Sequence, residues 1–249
     1  MDIAILTEII KESKRNWRFI FESPMYEKLD YIPGQLVQLY GKPWVEPSDN
    51  GPRAQRLSDS AIVRNYSVSS WPDGSNKFEL IITNLEGGKM SDYLFKEAKI
   101  GDEFVYKGPI GVFTLPGVLD RDIFLVSTGS GISPFRSMIN HLYTKKINFK
   151  SIKLFFGTRT EEDLLYREEL ESIAAQLPEF EYIPCLSRED KPGFAKGYVH
   201  EHYLKLIDEM DEKPLVYYCG WGGMVSQGRF ELAKRGFEMN KDIRVEIFG

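Results

Sequence analysis

The sequence predicts two domains of different class: a β-rich domain over residues 1–118 and an α/β domain with a doubly wound parallel sheet over residues 119–249. Three observations predict this. A chain of 249 residues is long for one domain and comfortable for two of ordinary size. Up to about residue 118, short strand-like runs are punctuated by Pro and Gly, with little helical periodicity. From about residue 119 onward strands and helices alternate without a break, the rhythm of a parallel sheet covered on both faces.

In the first part, "WRFIFES", "QLVQLYG", "KFELIITN" and "DEFVYKG" are rich in β-branched and aromatic residues and read as strands of a barrel or sandwich. "GKPWVEPSDNGPRAQRLSDS" is polar, contains Pro and Gly, and reads as a long loop. One short helix is expected at "MSDYLFKEA". In the second part, five strands are expected at "DIFLVST", "SIKLFFGT", "EYIPCLS", "PLVYYCG" and "IRVEIF". The helices between them are "SPFRSMINHLYTKK", "EEDLLYREELESIAAQL", "VHEHYLKLI" and "GMVSQGRFELAKRG".

Charge and cysteine usage exclude several function classes. Lys plus Arg number 32 against 37 Asp plus Glu, a net charge of -5, so no broad field for nucleic acid or membrane follows. The 2 cysteines, Cys185 and Cys219, are far apart, and no C-x-x-C occurs. Zinc sites and clusters held by four cysteines are therefore excluded within this chain. The start "MDIAILTEIIKESKRNW" lacks the basic start and long apolar run of a signal peptide, and no run approaches a membrane span. A reducing cytoplasm is the expected compartment.

Ligands of an open α/β sheet bind beyond the carboxyl ends of its strands. The segments there are "STGSGISPF", "FGTRTEED", "LSRED" and "CGWGGM". The first follows a strand and opens a helix. Gly129 and Gly131 let backbone approach a pyrophosphate at a helix N-terminus, or serve only a tight strand–helix turn. Ser187 and Arg188 can offer a hydroxyl and a planar guanidinium to a phosphate, with Lys196 and Tyr198 completing the set, or Arg188 can pair with Glu189 or Asp190. In the first part, Arg64, Tyr66 and Ser67 of "RNYSVSS" offer an anion contact, a flat ring and a hydroxyl, or simply alternate along a strand. Ser91 of "EGGKMSDYL" stands where a helix cap or a phosphate ligand belongs. Cys219 tops a strand, where thiols are often merely buried. His141, His200 and His202 form no catalytic set and read as structural or surface residues. Neither a Ser-His-Asp ordering nor a metal-ligand set is present.

Taken together in order, R-x-Y-S, G-G-x-x-S, G-x-G-x-x-P-F, S-R, C-G and V-E-I-F resemble the ferredoxin–NADP(H) reductase family of flavoproteins. The resemblance runs from "YIPGQLVQL" to the last residues. It implies an antiparallel FAD-binding β-barrel followed by an NADP-binding α/β domain with a parallel five-stranded sheet. It further implies that Arg64 holds the FAD pyrophosphate, Tyr66 lies on one flavin face and Ser67 sits near flavin N5. Gly88, Lys89, Met90 and Ser91 correspond to the second pyrophosphate loop. Thr128, Gly129, Gly131 and Pro134 correspond to the loop under the NADP pyrophosphate. Ser187, Arg188, Lys196 and Tyr198 correspond to the grip on the 2′-phosphate, and Cys219 and Gly220 to the nicotinamide site. Glu246 matches the tail carboxylate and Phe248 the last aromatic, expected to stack on the flavin.

Three departures stand out. Plant-type members end on tyrosine, whereas Phe248 is followed here by Gly249. The Gly41–Ser60 loop has no clear counterpart, which leaves Trp44 as the candidate for stacking on the FAD adenine. Trp221 follows C-G where other residues are usual.

The implied reaction is hydride transfer between NADPH and flavin, with single electrons passed to or from ferredoxin or flavodoxin. Ser67, Cys219, Glu246 and Phe248 would form its catalytic surroundings. An acidic carrier needs a basic rim, for which Lys11, Lys14, Arg15 and Arg18, or Lys96, Lys99 and Lys107, are candidates. Two alternatives remain open: an NAD(P)H-dependent reductase component of an oxygenase or other multi-protein system, and a flavin-binding module without turnover. The oligomeric state is not legible.

Overall fold

The computed structural model describes residues 1–41, 44–45, 56–57 and 62–248, with residues 44, 45, 56, 57 and 248 described by backbone alone. The β-rich part contains β1 (Asp2–Lys11), β2 (Asn16–Glu22), β3 (Leu36–Gly41), β4 (Trp44–Val45), β5 (Arg56–Leu57), β6 (Ile62–Ser67), β7 (Lys77–Thr83), helix α1 (Lys89–Lys96) and β8 (Glu103–Ile110). Six of these strands form one antiparallel sheet in the order β6-β3-β8-β1-β2-β7, while among the described residues β4 and β5 pair with each other. Just beyond β6, the Ser69 N–H donates to the Glu79 carbonyl of β7 (2.8 Å), so the two sheet edges meet and the sheet rolls into a barrel.

Period-two alternation sets which side chains fill the barrel. In β7, Phe78, Leu80 and Ile82 join Phe19, Phe21, Leu39 and Phe104 inside. Strand β1 was not anticipated. Its sequence "DIAILTEIIK" interleaves Thr7 and Glu8 with aliphatics, and its register shifts between Leu6 and Glu8, which blurs a strict alternation.

The second part runs β9 (Asp122–Thr128), a 3-10 turn (Gly129–Ile132), α2 (Ser133–Lys145), β10 (Ser151–Thr158), α3 (Arg167–Gln176), β11 (Phe180–Leu186), β12 (Ala195–Lys196), α4 (Val199–Asp208), β13 (Leu215–Trp221), α5 (Gly222–Lys234) and β14 (Ile243–Phe248). All strands are parallel, in the order β12-β11-β10-β9-β13-β14. The sheet thus has six strands, not the expected five. The extra one, β12, is a two-residue pairing of Ala195 and Lys196 with Cys185 and Leu186, too short to leave a pattern in sequence. The expected helix from Glu161 is also shorter: a 3-10 turn spans Glu161–Asp163, and α3 starts only at Arg167. Two apolar cores lie on the two faces of the sheet, one around Ile132, Phe135 and Phe156, the other around Phe124, Phe155 and Val225.

From β9 the chain builds outward through β10, β11 and β12, then returns to lay β13 on the other side of β9. That reversal opens a crevice at the carboxyl ends of β9 and β13. No helix among the described residues is long and apolar enough to cross a membrane.

Candidate functional site

The crevice is floored by two turns packed backbone to backbone. Gly129 adopts a left-handed φ of 55°, which turns the chain from β9 into the 3-10 helix. Gly131 needs its bare Cα for a different reason: a Cβ there would lie 2.2 Å from the Cys219 carbonyl oxygen. On the facing turn, Gly220 has φ 139°, and a Cβ would meet Thr128 Oγ1 at 2.7 Å. The Trp221 N–H donates to the same Thr128 hydroxyl (3.4 Å). Pro134 stands in the first turn of α2, where a missing N–H costs nothing. The first N–H groups of a helix lack intrahelical acceptors, so this glycine turn is suited to an anion.

At the crevice mouth the two parts of the chain meet. Ser67, at the end of β6, donates its hydroxyl to Glu246 Oε1 on β14. Ser67 is buried and Glu246 half-buried. Burial pushes the Glu246 carboxyl above its ordinary range, partly offset by the Ser67 hydroxyl. Glu246 is the register partner of Cys219. The Cys219 thiol is fully buried in the apolar core, and burial, then the Glu246 charge, raise it well above a normal thiol. It is a shape-filling group rather than a nucleophile. The Phe248 backbone pairs with Trp221, but its ring lies outside the described residues, as does the Trp44 side chain. The Trp221 ring is exposed and lies over Gly223.

On the barrel side, the exposed Arg64 guanidinium donates to the adjacent Val63 carbonyl (2.8 Å) and, among the described residues, makes no other side-chain hydrogen bond and no ion pair, which suits it to an anion. Tyr66 packs against the barrel core, and burial raises its phenol well above its ordinary pKa. The turn before α1 is exposed from Leu85 to Gly87. Gly88 flanks the helix, and Ser91 is not its cap. The Ser91 hydroxyl instead accepts the Leu85 N–H (3.1 Å) and braces the turn from inside. Met90 points into the barrel core against Gly41, so only its backbone faces the turn. Lys89 is exposed.

A third cluster forms at the ends of β10, β11 and β12. The Arg188 N–H donates to the Arg159 carbonyl (2.9 Å), which brings two exposed arginines side by side. Neither guanidinium forms an ion pair among the described residues. The acids that Arg188 could have met are taken: Asp190 by Lys196 (2.7 Å), Glu189 by Lys191 (3.4 Å) and the Glu161 N–H. Ser187 Oγ donates to the Thr158 carbonyl (3.1 Å). Tyr198 is exposed next to Lys196. Arg159 was not anticipated; its signal was a basic residue directly after a strand of the parallel sheet. The basic rim is thinner than expected, because Arg18 is held by Glu12 and Glu79 and Lys96 by Asp92. His200 is buried, with Nδ1 2.7 Å from the Tyr203 hydroxyl, which fits the structural role read from the sequence.

Comparison with known proteins places these features in company. Residues 4–115 match the family model "Oxidoreductase FAD-binding domain" and residues 125–229 match "Oxidoreductase NAD-binding domain". The chain is 38% identical over 186 residues to ferredoxin–NADP reductase B of Sorangium cellulosum, covering 72% of this chain and 74% of that protein. It is 30% identical over 230 residues to the 2-halobenzoate 1,2-dioxygenase electron transfer component of Burkholderia cepacia, covering 92% of this chain but only 62% of that protein. Among solved structures, a ferredoxin NADP+ reductase from Neisseria gonorrhoeae with bound FAD and NADP superposes with a TM-score of 0.76 at 20% identity, over 98% of this chain and 97% of that one. At that identity the likeness speaks for the fold.

Proposed function

The chain belongs to the ferredoxin–NADP reductase family, and on that premise we propose that it is an FAD-dependent oxidoreductase passing reducing equivalents between NADPH and an electron-carrier protein such as ferredoxin or flavodoxin. In this reading residues 1–118 hold FAD and residues 119–249 hold NADP(H). The single observation that carries it is the Ser67–Glu246 hydrogen bond. It joins the barrel strand to β14, beside the crevice at the carboxyl ends of β9 and β13, where two cofactors bound to the two halves would meet.

The side chains fit such ligands. Arg64 and Lys89, with the backbone from Gly88 to Ser91, suit one pyrophosphate, and Tyr66 and Ser67 suit an isoalloxazine. Thr128, Gly129 and Gly131 suit the second pyrophosphate, and Ser187, Arg188, Lys196, Tyr198 and Arg159 suit a 2′-phosphate. Bound FAD and NADPH supply hydride transfer and one-electron release. The chain's own task is to orient and to exclude water. Glu246 and Ser67 fix a polar contact at the junction, Cys219 and Gly220 shape the crevice, and Phe248 is proposed to cover the flavin face. A cytoplasmic site of action fits a chain with two buried, unpaired cysteines.

An anaerobic titration with NADPH and NADH, followed by flavin absorbance, tests the reading. A colourless protein, or a yellow one not bleached by either nucleotide, sinks it. Arg188→Ala and Arg159→Ala should each lower the preference for NADPH by about tenfold, the worth of a charged hydrogen bond. Equal turnover of NADH and NADPH in the parent removes the NADP assignment. Deleting residues 248–249 should tighten nicotinamide binding; unchanged flavin spectra and nucleotide affinities would reduce that strand end to a structural role.

A second reading, a reductase component of an oxygenase system, is favoured by the similarity to the dioxygenase electron transfer component over 92% of this chain. Adding ferredoxin or flavodoxin to the reduced protein separates the two: rapid one-electron reoxidation by either favours the first.

A further inference from the structure

Strand β7 presents two opposite faces to two different cores. Its inward residues Phe78, Leu80 and Ile82 belong to the barrel. Its outward residues Glu79, Ile81 and Thr83 all engage the nucleotide domain. Glu79 Oε1 accepts from Arg136 of α2 (2.8 Å) and from the Tyr166 hydroxyl (2.9 Å). Ile81 belongs to the apolar cluster of Ile132 and Phe135. The Thr83 and Ser130 hydroxyls are hydrogen-bonded at 3.1 Å, and Ser130 lies in the glycine turn itself. Three contacts are thus spread over about 13 Å of strand, given the rise per residue.

The charged end of this face is deeply buried. Arg136 and Glu79 are each 6% exposed. Besides Glu79, Arg136 takes both oxygens of Glu169 (2.9 and 2.7 Å) and stacks over Tyr166 at 4.1 Å. Arg18 closes the cluster on Glu79 Oε2 (3.2 Å). Tyr166 holds a left-handed φ of 56°, a strained setting for a tyrosine. Buried ion pairs add little stability over apolar packing of the same volume; what they add is one permitted geometry, because each planar fork demands its acceptors.

We propose that the outward face of β7 is a positioning rail. Glu79, Ile81 and Thr83 hold α2 and the glycine turn at one register against the barrel, and so set where a nucleotide on that turn sits relative to Ser67. Glu79 and Arg136 are positioning residues, and they act through the backbone they hold. The proposal rests on the functional reading above, so its test includes a measurement that needs no cofactor.

Spin labels on Lys99→Cys and Lys205→Cys, at exposed sites of the two domains, report the interdomain distance by pulsed electron paramagnetic resonance. Native Cys185 and Cys219 are buried and do not interfere. The full chain should give a narrow distribution, and Glu79→Gln/Arg136→Met a broad one. Rapid mixing with saturating NADPH should show flavin reduction slowed about 10- to 100-fold, as expected for misplacement on the ångström scale, with little change in nucleotide dissociation constant. Arg136→Lys should recover part of the rate. Thr83→Val keeps every buried charge paired and should shift both readouts in the same direction, by less.

Parent-like distances together with a parent-like saturated rate, even with a lowered melting temperature, overturn the proposal. A chain that holds no flavin overturns the functional reading, and the label distances still decide the rail.

Discussion

Gly131→Ala isolates the close approach of the two crevice turns. The added Cβ would fall 2.2 Å from the Cys219 carbonyl oxygen and 2.6 Å from the Gly220 Cα, whereas ordinary contact begins at 3.4 Å. Both obstacles are backbone, so the turns must part by about 1 Å, since no side chain can swing aside. Overpacking of this kind costs about 1–3 kcal/mol, which in a chain of this size lowers the melting temperature by about 3–10 °C. The same parting moves the glycine turn relative to the crevice, and a shift of about 1 Å can slow an oriented reaction about 100-fold.

Gly101→Ala, far from the crevice, is the control. Its φ of 95° makes alanine costly by about 1–3 kcal/mol, but nothing lies within 4 Å of the added Cβ. The two variants should therefore lose similar stability while only Gly131→Ala loses most of its rate. Thermal unfolding and rapid-mixing flavin reduction read the two quantities separately. Equal rates in the two variants would refute the close-approach argument.

Three further outcomes follow from buried groups. Burial raises the Glu246 carboxyl above its ordinary value of 4.5, so its ionised form opposes folding; the penalty shrinks as pH falls through the raised folded value and is gone below 4.5. Glu246→Gln should stabilise the chain at pH about 8 and not at pH about 4, while slowing flavin reduction; urea unfolding at both pH values checks it. Burial holds His200 below 6.5, so its contribution is complete above that value and is lost as pH falls through the folded pKa. The urea midpoint should drop on acidification below pH 6.5, and His200→Gln should flatten that segment of the curve. Burial pushes the Cys185 thiol up to about 12 and raises the Cys219 thiol well above its ordinary value, so neither should react with a thiol reagent until urea unfolds the chain.

Much of the architecture was legible because the sequence writes burial as a period. "KFELIITN" and "DIFLVST" declared strands, and the strand–helix alternation after residue 119 declared a parallel sheet with its ligand crevice at the strand ends. Gly129 and Gly131 were legible as turn glycines, and the arginine after β11 as an anion contact, whereas Gly220 came only with the family resemblance. Period does not say what a buried face is buried against. The family resemblance assigns Met90 to the second pyrophosphate loop, yet its side chain fills the barrel. Ser91 read as a cap, yet it braces the turn from behind. Arg18 read as a surface cation, yet two carboxylates hold it.

By itself, the sequence determined the two classes of domain, the strand ends where a ligand belongs, and the residue types gathered there. Only the tertiary structure decided the partners. Glu79 interrupts an apolar strand and Arg136 an apolar helix, which announces that each needs an opposite charge without naming it. Ser67 and Glu246 stand 179 residues apart and meet because the barrel and the sheet pack along β7. Local patterns are set by each residue's own need to leave or keep water, whereas pairing across domains depends on how two folded surfaces dock, and no short stretch of chain carries that information.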